Sequence, residues 1–530
     1  MTYHILIATD LTDDAMRLLQ EADDVQWTVI PPSLTAIREK IKDAHALICR
    51  DDVPVDPELL EHAPVLKLIA RVTTGISGVD IEAATRRGIL VMNTPGVSAI
   101  AAGEHTLALM LALSRRLTTA HNSLRDGYWL LDRRRQAGTQ LYGKTLGLIG
   151  FGRVGQIVAQ RSLSFGMTVL AYDPYVSEEK VVDPRVQLVS LKELYTRSDF
   201  VSLHVPATRE TRGMIEEVAF QQMKSGVRII NTAHGSLISE MALMNALQSG
   251  QVAGAALDVY NEEPPYSSPL IGQSNVIHTP HIGDNTAEAA QDLSLRVVEQ
   301  VLDALHDKDY RNVVNMPLMP GLEYDEVRPY LRLGECIGSL IHTLARFPVR
   351  RVAVELSGDD TAGLIRPMTT AILKGLLTPI LGDKAGTVNA PMLAAERGWQ
   401  VAQVKGLKTS EYSNVVGCQV TLEDGENILI TGALLDHKEP HIVQINEYRM
   451  NFVPEGHLLL IGSHDQPGVI GKVGSLLADH SVNIASWHTG RAQRGGHTLT
   501  VLTLDEEPNE IVFKELEKLP FIRHAHHVLI

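Results

Sequence analysis

The sequence predicts an α/β protein built on parallel sheets, and three observations predict it. Apolar runs of strand length alternate with helical patterns from residue 3 to about 98. A glycine-rich turn, Leu146-Gly-Leu-Ile-Gly-Phe-Gly-Arg-Val-Gly155, follows another such strand and opens a helix. The chain has 530 residues, too many for one hydrophobic core, which implies three or four domains.

Taken in order, His4-Ile-Leu-Ile-Ala8, Trp27-Thr-Val-Ile30, Ala46-Leu-Ile-Cys49 and Lys67-Leu-Ile-Ala70 read as strands with helices between them. Ala99 to Thr119 reads as one long apolar helix. The glycine turn follows, and Thr168-Val-Leu-Ala-Tyr172 is the next strand. More βα units run to about residue 287, and Thr286 to Leu305 reads as a helix that crosses back to the first part. Asn312-Val-Val-Asn-Met-Pro-Leu-Met-Pro320 is a proline-punctuated linker. A third unit spans about 318–452, and a short fourth begins at Gly456. In the fourth, Leu458-Leu-Leu-Ile461 is a strand, Asp465-Gln-Pro-Gly468 a turn and Val469 to His480 a helix; Val482-Asn-Ile484 opens the next strand.

Composition excludes several functions. A formal charge of −15 argues against a nucleic-acid surface. No apolar run reaches the roughly 18 residues of a membrane span, so no membrane partner is expected. Met1-Thr-Tyr-His-Ile-Leu enters a strand with no basic segment before it, so a secretory signal is not expected. Cys49, Cys336 and Cys418 are few, odd in number and far apart, which indicates neither a disulfide framework nor a metal site. A cytoplasmic protein fits. The basic run Asp132-Arg-Arg-Arg135 reads as solvated surface.

The glycine turn has a physical reading. Gly150 permits the tight turn, Gly152 lets backbone approach a pyrophosphate, and Gly155 lets the helix pack close to its strand. Arg153 and Val154 open the helix, whose free N–H groups and dipole favour an anion. Asp173 stands at the end of the next strand, where a carboxylate holds an adenosine ribose and disfavours a 2′-phosphate. NAD is therefore expected over NADP.

Five segments carry a resemblance. They are Arg71-Val-Thr-Thr-Gly-Ile-Ser-Gly-Val-Asp80, Gly88-Ile-Leu-Val-Met-Asn-Thr-Pro95, the glycine turn, Gly254-Ala-Ala-Leu-Asp-Val-Tyr-Asn-Glu-Glu-Pro-Pro265 and Thr279-Pro-His-Ile-Gly283. In this order they resemble the D-2-hydroxyacid dehydrogenases, and within them the long-form phosphoglycerate dehydrogenases. The resemblance implies a discontinuous substrate domain (1–98 and 288–317), an inserted Rossmann NAD domain (99–287), an intervening α+β domain (318–452) that resembles an allosteric substrate-binding unit, and an ACT domain (453–530). It implies NAD-dependent oxidation of 3-phospho-D-glycerate, the first step of L-serine biosynthesis. His281 would be the acid/base, since its pKa lies near neutrality, and Glu263 would orient it. Asp258 would lie near the nicotinamide amide. Thr74, His204, Pro206, Thr232 and Ala233 would line the cofactor.

Three departures from the family bear on the substrate. His234-Gly235 stands where the family has an Arg-Gly pair that forks onto the substrate carboxylate. Val97-Ser98-Ala99 replaces Gly-Asn-Ser, and Thr73-Thr-Gly-Ile-Ser-Gly78 replaces Gly-Thr-Gly-Val-Asp-Asn. Another 2-hydroxy acid as substrate, or a weakly catalytic NAD-binding sensor, are the alternatives these departures leave open. Arg50 and Arg71, each just past a strand, match the arginines that hold the substrate phosphate. Gly386-Thr-Val-Asn-Ala-Pro391 with Glu396-Arg-Gly398 resembles the intervening domain and carries no catalytic pattern. In the ACT domain, Asp465 and Asn483 match positions that bind a small amino acid, L-serine, between two subunits. A homo-oligomer, dimer or tetramer, follows from the same resemblance.

Overall fold

The computed structural model describes residues 2–129, 137–181, 183–316, 324–358, 363–404, 412, 414–435 and 439–530. The Asp132–Arg135 run and linker residues 317–320 lie outside the described residues. The chain forms two compact units. One comprises Met1–Asp10, Leu19–Asn93 and Val297–Ile530; the other comprises Leu11–Leu18 and Thr94–Arg296.

The first unit begins with a five-stranded parallel sheet of β1 (Tyr3–Ala8), β2 (Val25–Val29), β3 (Ala46–Cys49), β4 (Leu68–Arg71) and β5 (Leu90–Met92), in the order β2-β1-β3-β4-β5. Every residue of β3 and β4 is buried, as a sheet covered on both faces requires. The expected strands at 27–30 and 67–70 start two residues earlier and one residue later, respectively.

The second unit is a seven-stranded parallel sheet. Its strands are β6 (Thr145–Ile149), β7 (Thr168–Tyr172), β8 (Val186–Leu188), β9 (Phe200–Leu203), β10 (Val227–Asn231), β11 (Val252–Leu257) and β12 (Val276–His278). The order β12-β11-β10-β9-β6-β7-β8 reverses direction between β6 and β9. Such a switch point opens a crevice at the carboxyl ends of the strands, where doubly wound sheets bind ligands. The expected helix from Ala99 to Thr119 is two helices, Ala99–Arg115 and Leu117–Arg125. Arg116 takes a left-handed backbone (φ 55°), which interrupts the hydrogen-bond ladder and ends the first helix.

The rest of the first unit holds two more sheets. β13 (Val349–Ser357), β14 (Gln400–Gln403), β15 (Val415–Leu422), β16 (Asn427–Leu435), β17 (Glu439–Ile445) and β18 (Tyr448–Phe452) form a mixed sheet, with helices Tyr324–Leu344 and Ile365–Leu381 packed together. Those helices approach closely because a Cβ on Gly338 would meet Leu376 N at 2.7 Å. β19 (His457–His464), β20 (Ile484–Arg491), β21 (His497–Leu504) and β22 (Ile522–Leu529) form an antiparallel sheet in the order β20-β21-β19-β22. One face buries Leu459, Ile461, Leu502 and Leu504 with the helices Val469–Asp479 and Glu510–Glu517. The other face sends Leu458, Leu460, Leu499 and Val501 into the core of the mixed sheet. Alternation along each strand thus serves two cores.

Candidate active site

The second unit builds its site at the carboxyl ends of its strands. Gly150 has φ +98°, and a Cβ there would lie 2.6 Å from the His204 carbonyl. A Cβ on Gly155 would overlap the Gly150 carbonyl oxygen. Around Gly152, by contrast, nothing lies within 4 Å of a Cβ position, so the start of helix Arg153–Ser164 is open on the side where a pyrophosphate would sit. Val154 packs into the core beneath. The Arg153 guanidinium donates to Pro95 O at 2.7 Å. Asp173 accepts from Phe151 N and from Tyr175 N, both at 2.9 Å, so the acid braces the glycine turn as well as ending β7.

Around the switch point, His204 shares a hydrogen bond with Ser202 Oγ at 2.9 Å, and burial lowers its pKa to about 4, which leaves a neutral ring. Thr232 Oγ1 pairs with Thr106 Oγ1 at 2.7 Å. Asn231 shapes the loop that follows β10: it accepts from Ala233 N at 3.1 Å and donates to His234 O at 2.9 Å. Pro206 O accepts from Thr211 Oγ1 at 2.6 Å.

His281 lies beyond β12 with a left-handed backbone (φ 52°), rare for a residue with a side chain. Asp258 holds it there. The Asp258 carboxylate accepts from Thr279 Oγ1 (2.6 Å), Gly283 N (2.8 Å) and Ile282 N (2.9 Å), and faces His105 Nε2 at 3.3 Å. Burial alone would raise its pKa; these donors, with His105 the strongest, hold it at about 2. Asp258 O also accepts from His281 N at 2.9 Å. His281 Nδ1 then meets Glu263 Oε2 at 2.7 Å, and Glu263 Oε1 accepts from Tyr260 N at 3.1 Å. Desolvation pulls the His281 pKa down, but the hydrogen bond and charge of Glu263 outweigh it, and the pKa is raised. For His234, desolvation and the charge of His281 lower the pKa, with Glu263 opposing, although part of its surface is open to solvent. Ser98 is buried at the start of helix Ala99–Arg115, and its side chain does not cap that helix.

In the first unit, of the two expected phosphate arginines only Arg50 presents its side chain to solvent. Arg71 is fully enclosed. Its guanidinium donates to Val53 O at 2.8 Å, Ser77 O at 3.2 Å and Cys49 Sγ at 3.3 Å, and also to Arg50 O. It therefore organises the loops after β3 and β4, whereas the expectation was a direct hold on the substrate phosphate. Thr73 Oγ1 donates to Asp51 Oδ1 at 3.0 Å, and exposed Thr74 accepts from Asn93 Nδ2 through its carbonyl at 2.6 Å. In the last sheet, Asp465 accepts from Gly495 N at 2.9 Å and faces Arg491 at 3.3 Å. It lines a cavity of about 240 Å³ with Trp487, Thr489 and Thr500. Asn483 does not line that cavity, since its amide donates to Asp505 at 2.6 Å and strand β20 begins only after it. Among the described residues, no group of three or more His, Cys, Asp or Glu is placed to hold a metal ion.

Residues 107–283 match the NAD binding domain of the D-isomer specific 2-hydroxyacid dehydrogenases. Residues 326–446 match the D-3-phosphoglycerate dehydrogenase intervening domain, and residues 457–521 match the ACT domain. D-3-phosphoglycerate dehydrogenase of Methanocaldococcus jannaschii is 39% identical over 523 residues, 98% of each chain. That of Bacillus subtilis is 34% identical over 520 residues, again 98% of each. The chain belongs to the D-3-phosphoglycerate dehydrogenase family. Among solved structures, a D-lactate dehydrogenase of Aquifex aeolicus complexed with NAD and lactic acid is similar over 57% of this chain and 96% of its own, with 30% identity and a TM-score of 0.50. A Thermus thermophilus protein matches over 59% and 99%, with 35% identity and a TM-score of 0.55.

Membership in this family leaves some of the site unread. His105, nearly two turns into a long helix, meets Asp258 across more than 150 positions of sequence, and no local spacing announces it. Asn231 and Thr279 sit inside recognised segments, yet their roles depend on which loop each side chain turns toward. Asp173→Ala should weaken NAD by about tenfold, the worth of one charge-assisted hydrogen bond, and narrow the preference over NADP. Isothermal titration checks this, and equal affinity of the unaltered protein for the two cofactors would refute the assignment.

Proposed function

We propose that this chain oxidises 3-phospho-D-glycerate to 3-phosphohydroxypyruvate with NAD and so opens L-serine biosynthesis. The observation that carries the reading is the 2.7 Å pair of His281 and Glu263 on a turn held by Asp258, in a unit matched as an NAD binding domain. The open glycine cradle, the free N–H groups of the helix start and Asp173 fit the cofactor's pyrophosphate and ribose. Bound NAD supplies the hydride acceptor. With Nδ1 turned to Glu263, His281 offers Nε2 to the substrate hydroxyl and takes its proton as the carbon loses hydride. Glu263 stabilises the imidazolium that results. In the reverse direction the same nitrogen returns the proton.

His234 acts as a neutral hydrogen-bonding group at neutral pH, given the direction of its pKa. Ser98 then supplies a second polar contact to the substrate carboxylate. The Thr73–Gly78 loop serves the substrate side, and Thr74 within it lines the cofactor. Arg50 contacts the phosphate, and Arg71 acts through the shape of the loops it holds. The exposed apolar surface of Leu117, Leu124, Tyr128 and Trp129 supports a contact between copies. The turn at Asp465 would take L-serine, with Asn483 contributed from a second copy. Three buried, unpaired cysteines are compatible with a reducing cytoplasm, and among the described residues no helix is long and apolar enough to cross a membrane.

His281→Ala should lower kcat by a factor on the order of 10²–10⁴ with NAD affinity kept. Because oxidation uses neutral His281 and its pKa is raised, kcat/KM should climb with pH through a midpoint above the ordinary histidine value. Glu263→Gln should move that midpoint down, and a profile unmoved by it would sink the dyad. Arg50→Ala should weaken phosphoglycerate selectively; an equal loss for an unphosphorylated 2-hydroxy acid would remove the phosphate role and revive another substrate. Light scattering should report an oligomer, and L-serine should inhibit it but not Asp465→Ala. A serine-insensitive oligomer would make the ACT unit a structural contact.

A further inference from the structure

The Gly386-Thr-Val-Asn-Ala-Pro391 motif takes no part in the chemistry, yet its asparagine is 1% exposed. Asn389 precedes helix Ala390–Glu396 and does not cap it with its side chain. The amide is used elsewhere. Its Oδ1 accepts from Gly386 N at 2.7 Å, and its Nδ2 donates to Lys384 O at 2.9 Å. The same nitrogen lies 3.5 Å from Arg86 O, at the end of helix Ile81–Arg86 beside the first sheet. Gly88 follows that helix with φ +77°, and a Cβ there would crowd Asn389 Nδ2 at 3.0 Å. A Cβ on Gly386 would lie 3.5 Å from Gly88 Cα and O. Two glycines thus allow the backbones to touch, and Asn389 sits in the seam.

A second asparagine grips the same stretch. Asn315 accepts from Val91 N and donates to Ile89 O and Thr85 Oγ1, each at 2.9 Å. Leu90 packs against the core of the mixed sheet. Residues 85–91 are therefore held by groups from the C-terminal half of the chain.

Two short links run from that stretch to the loop after β4. Forward, β5 ends at Met92, and Asn93 Nδ2 donates to Thr74 O at 2.6 Å. Backward, the six-residue helix is preceded by its N-cap Asp80, whose side chain accepts from Ala83 N at 2.9 Å. Asp80 N donates to Val55 O at 2.9 Å, and Val55 N to Gly78 O at 2.7 Å. Both ends of the loop are tied to a segment whose middle is clasped.

We propose that Asn389 is a positioning residue. It fixes the Thr73–Gly78 loop from the intervening domain and so sets the loop's affinity for substrate. The proposal rests on the reading that this loop serves the substrate side. The test uses the full chain with Asn389→Ala, Asn389→Asp and Leu434→Ala. With Asn389→Asp the side chain would still accept from Gly386 N but turn a carboxylate toward two carbonyls; Leu434 is buried in the same core and serves as the control for general loosening. Asn389→Ala should raise KM for 3-phosphoglycerate about three- to tenfold, the range that follows from losing one hydrogen bond's net worth. In the same variant kcat should stay within about twofold, since it does not depend on uniform substrate binding. Hydrogen exchange should quicken at 72–79 and 85–91. Leu434→Ala should leave KM and those amides unchanged. Unchanged exchange at 72–79, or an equal KM rise in Leu434→Ala, overturns the clasp. Faster exchange with KM unchanged means the loop is held but does not bind substrate, which overturns the substrate reading of the loop and the effect on affinity with it. If Asn389→Ala does not fold, Asn389→Asp carries the same comparison.

Discussion

One buried carboxylate organises the catalytic end of the second unit. Asp258 accepts from a hydroxyl and two backbone N–H groups and faces an imidazole, and its own carbonyl takes the N–H of His281. Left-handed backbone at a histidine costs about 1–3 kcal/mol and persists only where surroundings impose it. The turn from Thr279 to Gly283 is such a place. With the turn set, the imidazole falls within reach of Glu263, and the proton affinity of His281 follows from that contact. The chemistry therefore depends on a residue that need not touch substrate at all.

The first unit uses a buried charge in a comparable way with the opposite sign. Arg71 is enclosed among carbonyl oxygens of the loops after β3 and β4. Taking a guanidinium out of water is costly unless its donors are satisfied, and carbonyl groups satisfy them here. In both units an ionised side chain gives an irregular segment one conformation, because loops lack the ladder that fixes strands and helices. Removing either group would leave several partners unpaired, and such losses cost more than the net worth of any one contact.

His281 and His234 divide their work by environment. Glu263 raises the proton affinity of His281, while desolvation and His281 itself lower that of His234. One ring is thus suited to exchange a proton near neutrality and the other to remain neutral beside it. Two titratable groups pushed apart in this way mark separate roles.

The family resemblance pointed to His281 and Glu263; strand-helix alternation, the glycine turn and Asp173 were legible in the sequence itself. Each rests on local chemistry: a residue type at a fixed distance along one element. Hydrophobic period marks strands, and Gly150 can take its φ because it lacks a Cβ. The break at Arg116 was not legible, because Ala99 to Thr119 is continuous in its apolar character and a single left-handed residue leaves no signature there. Nor was the fate of Arg71, whose place at a strand end suits a ligand contact and a loop staple equally. His105, Asn315 and Asn389 belong to the tertiary structure alone. Their partners lie far away in sequence, and a hydrogen bond is decided by where the second group arrives when the chain packs. The sequence by itself determined the elements and the chemistry available at their ends; folding decided which buried polar groups would face one another.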